Sequence, residues 1–259
     1  MTKPAHGHRR CRLRALTLVE LLVVVAILSV LLAVMIPSLR QARIMAHGVV
    51  CQSNLRQLAF GWHEYLDDHH ERFYQGINAN LEYGGWEGMV QASPRPLNPY
   101  LGLAADLKAA EGAEVFCCPA DTGGVPGYAQ QEKAFRYLGT SYQTNILLIG
   151  QDAIAFWDQR CQALHEKINV QLKDLTVNRI CAPSKLLLLG DYGWVNEWMT
   201  YAKRRTEWHH RDCHHNLAFM DGHVEFLRIR KGQYVTDDYY VLPFGELHGL
   251  ARQVQEELP

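Results

Sequence analysis

The sequence has no excess of charge of either sign, because 26 lysines and arginines stand against 27 aspartates and glutamates. The formal net charge of -1 and the pI near 6.9 argue against a nucleic-acid-binding protein. Motifs of catalysis are also missing: there is no serine nucleophile elbow, no phosphate-cradling glycine loop and no zinc-hydrolase helix motif. We therefore expect no nucleic-acid partner and no enzymatic activity.

The N-terminus carries a basic cluster followed by a long apolar stretch. Five basic residues precede the first acidic residue: Lys3, Arg9, Arg10, Arg12 and Arg14. Residues 16–36 are apolar except for Thr17, Glu20 and Ser29, and as a helix they would extend about 30 Å, enough to cross a bilayer. Because positive charge stays on the cytoplasmic side, the pattern predicts a single-pass inner-membrane protein with a cytoplasmic N-terminus and a periplasmic C-terminal domain.

An ordinary secretory signal peptide explains this segment poorly. No small-x-small cleavage site follows the apolar stretch directly. Glu20 also places a carboxylate inside the apolar run, which costs about 2.5–3.5 kcal/mol at membrane depth unless a partner compensates it. A functional partner for Glu20 is therefore expected.

Residues 13–22 read LRALTLVELL and resemble the type III signal of type IV prepilins, whose consensus is a small residue followed by Phe-Thr-Leu-Ile-Glu. Ala15 and Leu16 replace the usual Gly and Phe. The resemblance implies that prepilin peptidase cleaves between Ala15 and Leu16 and methylates the new amine of Leu16. It implies that Glu20 serves assembly by pairing with that amine in a neighbouring subunit. The implied partners are other pilin-like subunits, prepilin peptidase, an inner-membrane assembly platform and the lipid membrane.

A helical pattern continues beyond the apolar stretch. Pro37 is expected to kink the helix without ending it, because the periodicity resumes at once. Apolar residues at three-to-four spacing or its multiples predict one packing face: Leu39, Ala42, Ala46, Val50, Leu58, Trp62 and Leu66. The pattern ends near Asp68, so we predict one N-terminal helix over residues 16–68, half of it transmembrane over residues 16–36.

The remaining residues, 69–259, contain short apolar runs separated by Gly, Pro and Asn, which is typical of loops and short strands. Strands are expected at residues 185–189 and in a hairpin at residues 216–227, where Asp221-Gly222 forms the turn. We therefore predict an α+β, pilin-like fold. It consists of a leader peptide at residues 1–15, the long helix, and a small antiparallel-sheet head domain.

Several strings in the chain resemble one branch of the prepilin-like proteins, which has an associated C-terminal domain named for a His that nine intervening residues separate from Asp-Gly. They read CQSNLRQL, VFCCPAD, SYQTN, RICAPSK and NLAFMDGHV, and they begin at positions 51, 115, 141, 179 and 216. The His of that pattern would fall at Arg211. We therefore assign its role to the neighbouring His210.

Residues 209–223 hold the densest group of metal-ligating side chains. We identify His210, His214, Asp221 and His223 as candidate ligands. No spacing here matches a known zinc motif, so a loop of solvated or hydrogen-bonded histidines without a cofactor is the favoured alternative. Calcium at Asp121 or Asp191 is a further alternative, but Asp close to Gly is first of all typical of turns.

The cysteines fit an oxidising compartment. Cleavage of the leader would remove Cys11 and leave an even six that could form disulfides: Cys51, Cys117, Cys118, Cys161, Cys181 and Cys213. Six cysteines allow 15 pairings, so the connectivity stays open. The vicinal pair Cys117-Cys118 is expected to feed two different disulfides or to leave one thiol buried.

Two hypotheses of function follow. The first is a structural subunit, a pseudopilin or minor pilin, of a type II secretion or type IV pilus-like filament, processed by prepilin peptidase. The alternative is a membrane-anchored periplasmic binding or metal-binding protein that uses the pilin helix only as an anchor.

Overall fold

The computed structural model describes residues 17–75, 82–89, 91, 94–124, 132–149, 161–199 and 208–258. Helix α1 runs from Leu18 to Asp68 and contains Pro37, so the proline does not end it. The chain divides into two compact units, Met1–Arg43 and Ile44–Pro259. In the first unit, every large apolar side chain from Leu18 to Ile36 is exposed.

In the second unit, α1 buries one face. The buried residues recur at three- and four-residue spacing, as expected for one side of a helix: Cys51, Asn54, Leu55, Leu58, Ala59, Gly61, Trp62, Tyr65 and Leu66. The face therefore includes Leu58, Trp62 and Leu66 as predicted.

The prediction is wrong for the first half of the packing face, where four residues are exposed: Leu39, Ala42, Ala46 and Val50. A repeat of four residues exceeds the helical period of 3.6 and rotates by about 40° at each step. Over the 20 residues from position 46 to position 66, the series moves roughly halfway around the helix. The packing face therefore begins at Cys51.

A four-stranded antiparallel sheet forms the centre of the second unit. Its strands are β1 (Tyr142–Thr144), β2 (Leu187–Asp191), β3 (His214–Phe219) and β4 (Val224–Arg228), in that spatial order. Strand β2 begins and ends two residues later than predicted. Every residue of β2 is buried. The sequence therefore shows no alternation of apolar and polar residues from which the ends of the strand could be predicted.

The predicted hairpin is confirmed as β3 and β4. Gly222 in the turn has φ of 88°, a conformation that glycine adopts without steric cost. Leu217, Phe219 and Val224 are buried, and Phe226 is half-buried. In the register of the hairpin, Leu217 pairs with Glu225 and Ala218 with Val224, so Leu217 and Phe219 lie on one face of the sheet and Val224 and Phe226 on the other. The strands are confirmed, but the apolar residues belong to two covered faces and not to a single one.

Within the described ranges of the second unit, five short helices and four 3-10 turns accompany α1 and the sheet. The helices are α2 (Ala134–Leu138), α3 (Ile146–Ile149), α4 (Gln162–Leu172), α5 (Trp194–Trp198) and α6 (His248–Glu257). The 3-10 turns span Asn98–Leu101, Glu114–Phe116, Val177–Arg179 and Gly245–Leu247. A long helix packed on a small antiparallel sheet with added helices is an α+β fold, as predicted.

Candidate functional site

The start of α1 is built around Thr17 and Glu20. The backbone amide and the hydroxyl of Thr17 each donate a hydrogen bond of 2.8 Å to Glu20 Oε2, and the amide of Glu20 donates one of 3.2 Å to Thr17 Oγ1. This is a capping box, in which each side chain satisfies the other residue's backbone amide at the helix start. The predicted processing residues Ala15 and Leu16 lie outside the described residues.

The apolar part of α1 is suited to lipid. By length and composition alone, α1 qualifies as a membrane-spanning helix, and none of its most apolar 18-residue window is buried. Ser29 does not interrupt it, because its hydroxyl donates a hydrogen bond of 2.7 Å to the carbonyl of Val25. The hydroxyl of Ser38 is satisfied by the carbonyl of Met35 in the same way.

A family model described as the prokaryotic N-terminal methylation motif matches residues 11–36. This segment is a prepilin-type methylation motif. It indicates a type IV pilin-like or pseudopilin class of protein that prepilin peptidase processes, and together with the apolar helix it indicates membrane anchoring. No curated protein and no solved structure matches the chain significantly. The resemblance of the C-terminal half to the His-x9-Asp-Gly domain stays a prediction.

Within the second unit of this methylation-motif protein, the four residues identified as metal ligands lie apart. His210 is exposed, with φ of 56°. His214 begins β3, and its Nδ1 lies 2.6 Å from the carbonyl oxygen of Asp212. Asp221 and His223 lie at the other end of the hairpin, where Asp221 Oδ1 pairs with His223 Nδ1. The structure therefore brings together only Asp221 and His223.

A different polar cluster lies where β2 and β3 meet α1. His209 Nε2 is 3.1 Å from Asp191 Oδ2, and both side chains are almost fully buried. The same carboxylate oxygen accepts hydrogen bonds from the backbone amide and the side-chain amide of Asn216, at 2.8 and 2.9 Å. Gln52 on α1 donates to Asn216 Oδ1 at 3.1 Å. The cluster therefore links the helix to both central strands.

Gly190 allows the two strands to approach closely at this point. A Cβ atom at position 190 would lie 2.5 Å from Leu217 Cδ2 and 2.9 Å from the carbonyl oxygen of Asn216. Only glycine fits there without displacing β3. This explains why Asp191, the carboxylate of the cluster, follows a glycine although neither residue forms a turn.

Two cysteines complete the cluster. Cys51 on α1 and Cys118 form a disulfide, and Cys118 Sγ lies 3.6 Å from His209 Nε2. Cys117 is a half-buried thiol whose pKa is raised by burial and by the nearby Asp121 carboxylate, so this vicinal pair joins one disulfide and leaves one thiol. Of the other candidate cysteines, Cys181 is a half-buried thiol, and Cys161 and Cys213 are buried.

Of the described residues, Cys51, Cys118, Asp191 and His209 form the group whose ligand atoms all lie within 4.8 Å of one another. Sequence reasoning selected His210 instead of His209. The sequence held no signal that separates His209 from His210, because both lie in a turn before β3, where the alternation of side chains along a strand does not apply. Only the fold shows which of the two histidines faces inward.

Asp121 has a structural role that excludes a calcium site at its carboxylate. Oδ1 accepts backbone amides of Gly123 and Ala134, and Oδ2 accepts the amide of Phe135 and the hydroxyl of Ser141, at 2.7 to 3.0 Å. Four donors occupy the lone pairs of the buried carboxylate. It thereby joins the loop before α2 to the start of β1.

His215, next to the cluster on β3, is fully buried. Burial lowers its pKa to about 4, although the nearby Asp191 carboxylate opposes this shift. Its Nε2 has no hydrogen-bond partner within the described ranges. His215 is therefore neutral at physiological pH and adds no charge beside Asp191.

A groove of about 320 Å³ opens beside the cluster. Its α1 side is formed by Ile44, Met45, Gly48, Val49 and Gln52, and its other side by His209, Asn216 and Phe226. His209 and Asn216 line the groove and also contact Asp191, so the groove borders the cluster.

Proposed function

We propose that this protein is a structural subunit, a pseudopilin or minor pilin, of a type II secretion or type IV pilus-like filament. The observation that carries the proposal is the methylation motif at residues 11–36, continuous with an exposed apolar helix. An exposed apolar face of this length is stable only against lipid or other apolar helices. Lipid would surround the helix before assembly. The packed N-terminal helices of the filament core would surround it afterwards.

Glu20 supports assembly over simple anchoring. A helix that serves only as a membrane anchor gains nothing from Glu20, because a carboxylate within the apolar segment disfavours insertion into the membrane. In a filament, the carboxylate of one subunit can neutralise the Leu16 amine of the next as the helices come into register. The capping box holds the Glu20 side chain at the helix start, beside the end that carries this amine.

The basic leader orients the subunit with its N-terminus in the cytoplasm and the second unit in the periplasm. Processing by prepilin peptidase between Ala15 and Leu16 then releases the helix for insertion by an inner-membrane assembly platform. The chain acts in this scheme as a building block without enzymatic activity.

Site-specific photo-crosslinking tests the filament hypothesis. A photoreactive residue at Val24 or Leu31, both more than half exposed in α1, should give adducts with pilin-like subunits in cells. The matched control is the same variant in cells without prepilin peptidase, where the unprocessed chain stays in the membrane and these adducts should disappear. Adducts with lipid alone in both strains would contradict filament incorporation.

The alternative is a membrane-anchored periplasmic binding or metal-binding protein. Its specific support is the cluster of Cys51, Cys118, Asp191 and His209, because these are side-chain types that ligate transition metals and their ligand atoms lie within 4.8 Å of one another. The crosslinking experiment separates the two hypotheses, since an anchored binding protein requires no pilin-like neighbour at Val24 or Leu31.

A further inference from the structure

Two distances within the buried cluster are close to those between the ligands of a tetrahedral metal site. With zinc–sulfur bonds of about 2.3 Å and zinc–nitrogen or zinc–oxygen bonds of about 2.1 Å, neighbouring ligand atoms lie about 3.4 to 3.8 Å apart. Cys118 Sγ and His209 Nε2 are 3.6 Å apart, and His209 Nε2 and Asp191 Oδ2 are 3.1 Å apart. One imidazole nitrogen therefore faces both a sulfur and a carboxylate at nearly the required distances.

Asp191 provides a second, independent indication. Its Oδ1 is buried without a hydrogen-bond partner in the part of the chain that the structure describes. A buried carboxylate oxygen without a donor is costly, and a cation at the carboxylate compensates this cost. Asn216 meanwhile orients the carboxylate with two hydrogen bonds, as outer-shell groups do for metal ligands.

Metal binding at this cluster requires that the Cys51–Cys118 disulfide first be reduced. Two sulfurs bonded to each other cannot both ligate one metal, whereas two thiolates about 3.8 Å apart can. Reduction takes up two electrons and two protons, breaks the S–S bond and produces two thiols. Zinc binding then replaces the two thiol protons, which leave to solvent.

We propose that Cys51, Cys118, Asp191 and His209 form a redox-gated zinc site, closed by the disulfide and opened when a dithiol reduces it. The dithiol is oxidised to its own disulfide in the same step. Two thiolates, an imidazole and a carboxylate occupy four positions, so the site holds zinc structurally without an open position for substrate. The metal would tie α1 to the ends of β2 and β3 in place of the covalent bond. This inference does not depend on filament assembly.

The test uses the full chain purified in detergent. The oxidised protein is compared with protein reduced by a dithiol and kept anaerobic, after mass spectrometry of alkylated peptides has confirmed free Cys51 and Cys118. We expect the reduced chain to bind one zinc ion, and Co²⁺ in its place to give the visible bands of a tetrahedral site with a thiolate charge-transfer band. The oxidised chain should bind at least about 100-fold more weakly, since loss of even an outer-shell partner costs 10- to 100-fold.

His209→Gln and His210→Gln form a matched pair, because only the first removes a ligand. His209→Gln keeps the disulfide, so the circular dichroism of its oxidised form reports folding separately from metal binding. We expect zinc affinity of the reduced chain to fall at least about 100-fold for His209→Gln and to stay within about threefold for His210→Gln. Equal zinc binding by oxidised and reduced chains, equal loss in both variants, or a disulfide that resists the dithiol would overturn the proposal.

Discussion

The side chains of Thr17 and Glu20 cap the first turn of α1 by bonding to each other's backbone amides. Glu20 therefore has a local role in helix formation besides the role in assembly that we propose. A capping box is worth about 0.5–2 kcal/mol to a helix. Any test of Glu20 has to separate this contribution from the effect of its charge.

Three variants separate the cap from the charge. Glu20→Gln keeps a side-chain oxygen for the cap and removes the charge, whereas Thr17→Val weakens the cap and keeps the charge. We expect filament incorporation, measured in sheared or crosslinked fractions, to fall at least about tenfold for Glu20→Gln and Glu20→Ala, because an unpaired amine in hydrocarbon costs more than about 1.4 kcal/mol. Thr17→Val should incorporate nearly as well as wild type. The reverse order would show that capping, and not charge, is what the filament requires.

Processing makes a separate prediction. In cells with an active prepilin peptidase, the mature chain should begin at N-methylated Leu16, as intact mass and N-terminal peptide analysis would show. Ala15→Asp should block cleavage, because the consensus requires a small residue before the cut, while insertion in the membrane continues. A mature N-terminus beyond Ile36, or an uncleaved Met1 in wild type, would contradict the pilin-like interpretation.

His165 predicts a dependence of stability on pH. It is fully buried on α4, its Nε2 lies 2.7 Å from the Tyr234 hydroxyl oxygen, and burial lowers its pKa from 6.5 to about 4. Between these two pKa values the unfolded state binds more protons, so stability falls as the pH drops from about 6.5 to about 4. The total loss from this group is about 3 kcal/mol.

Chemical denaturation of the detergent-solubilised chain at a series of pH values measures this effect. His165→Gln should flatten the curve between pH 4 and 6.5. The flattening is partial because His215, with a pKa of about 4, titrates over the same range. A slope unaffected by His165→Gln would mean that the imidazole is not held neutral in the folded protein.

The Cys51–Cys118 disulfide closes a loop with a sequence separation of 67 residues. Constraining a loop of this size removes conformational entropy from the unfolded chain and stabilises the fold by about 4 kcal/mol in the chain-entropy model. Under non-reducing, metal-free conditions, Cys118→Ser should lower the free energy of unfolding by about 2–5 kcal/mol. Cys117→Ser breaks no covalent bond and should cost less than about 1 kcal/mol. Similar losses in both variants would show that the disulfide does not stabilise the fold.

Substitution of the buried Asp121 should destabilise the second unit. Asp121→Asn replaces one acceptor oxygen by an amide donor that faces backbone amides or the Ser141 hydroxyl, leaving buried groups unsatisfied. We expect a loss of about 2–3 kcal/mol in the free energy of unfolding. The exposed Asp106→Asn is the matched control and should change it by less than about 0.5 kcal/mol. A loss confined to about 0.5 kcal/mol for Asp121→Asn would contradict the four-donor arrangement.

Elements dictated by local pattern were predicted well from the sequence. The long helix follows from continuous helical spacing, and the hairpin from an Asp-Gly turn between alternating strands, since both are determined by residues close together in the chain. The start of the packing face on α1 was misplaced. A repeat of apolar residues indicates which side of a helix is apolar, but not how far the rest of the chain covers it.

The sequence by itself determined that residues 11–36 carry a methylation motif and an apolar helix with one carboxylate, because these properties need no tertiary contact. Only the tertiary structure decided that His209, and not His210, meets Asp191, and that Cys51 reaches Cys118 across 67 positions. Such convergence depends on the packing of α1 against β2 and β3, where side chains distant in sequence become neighbours. Spacing along the chain carries no information about those distances.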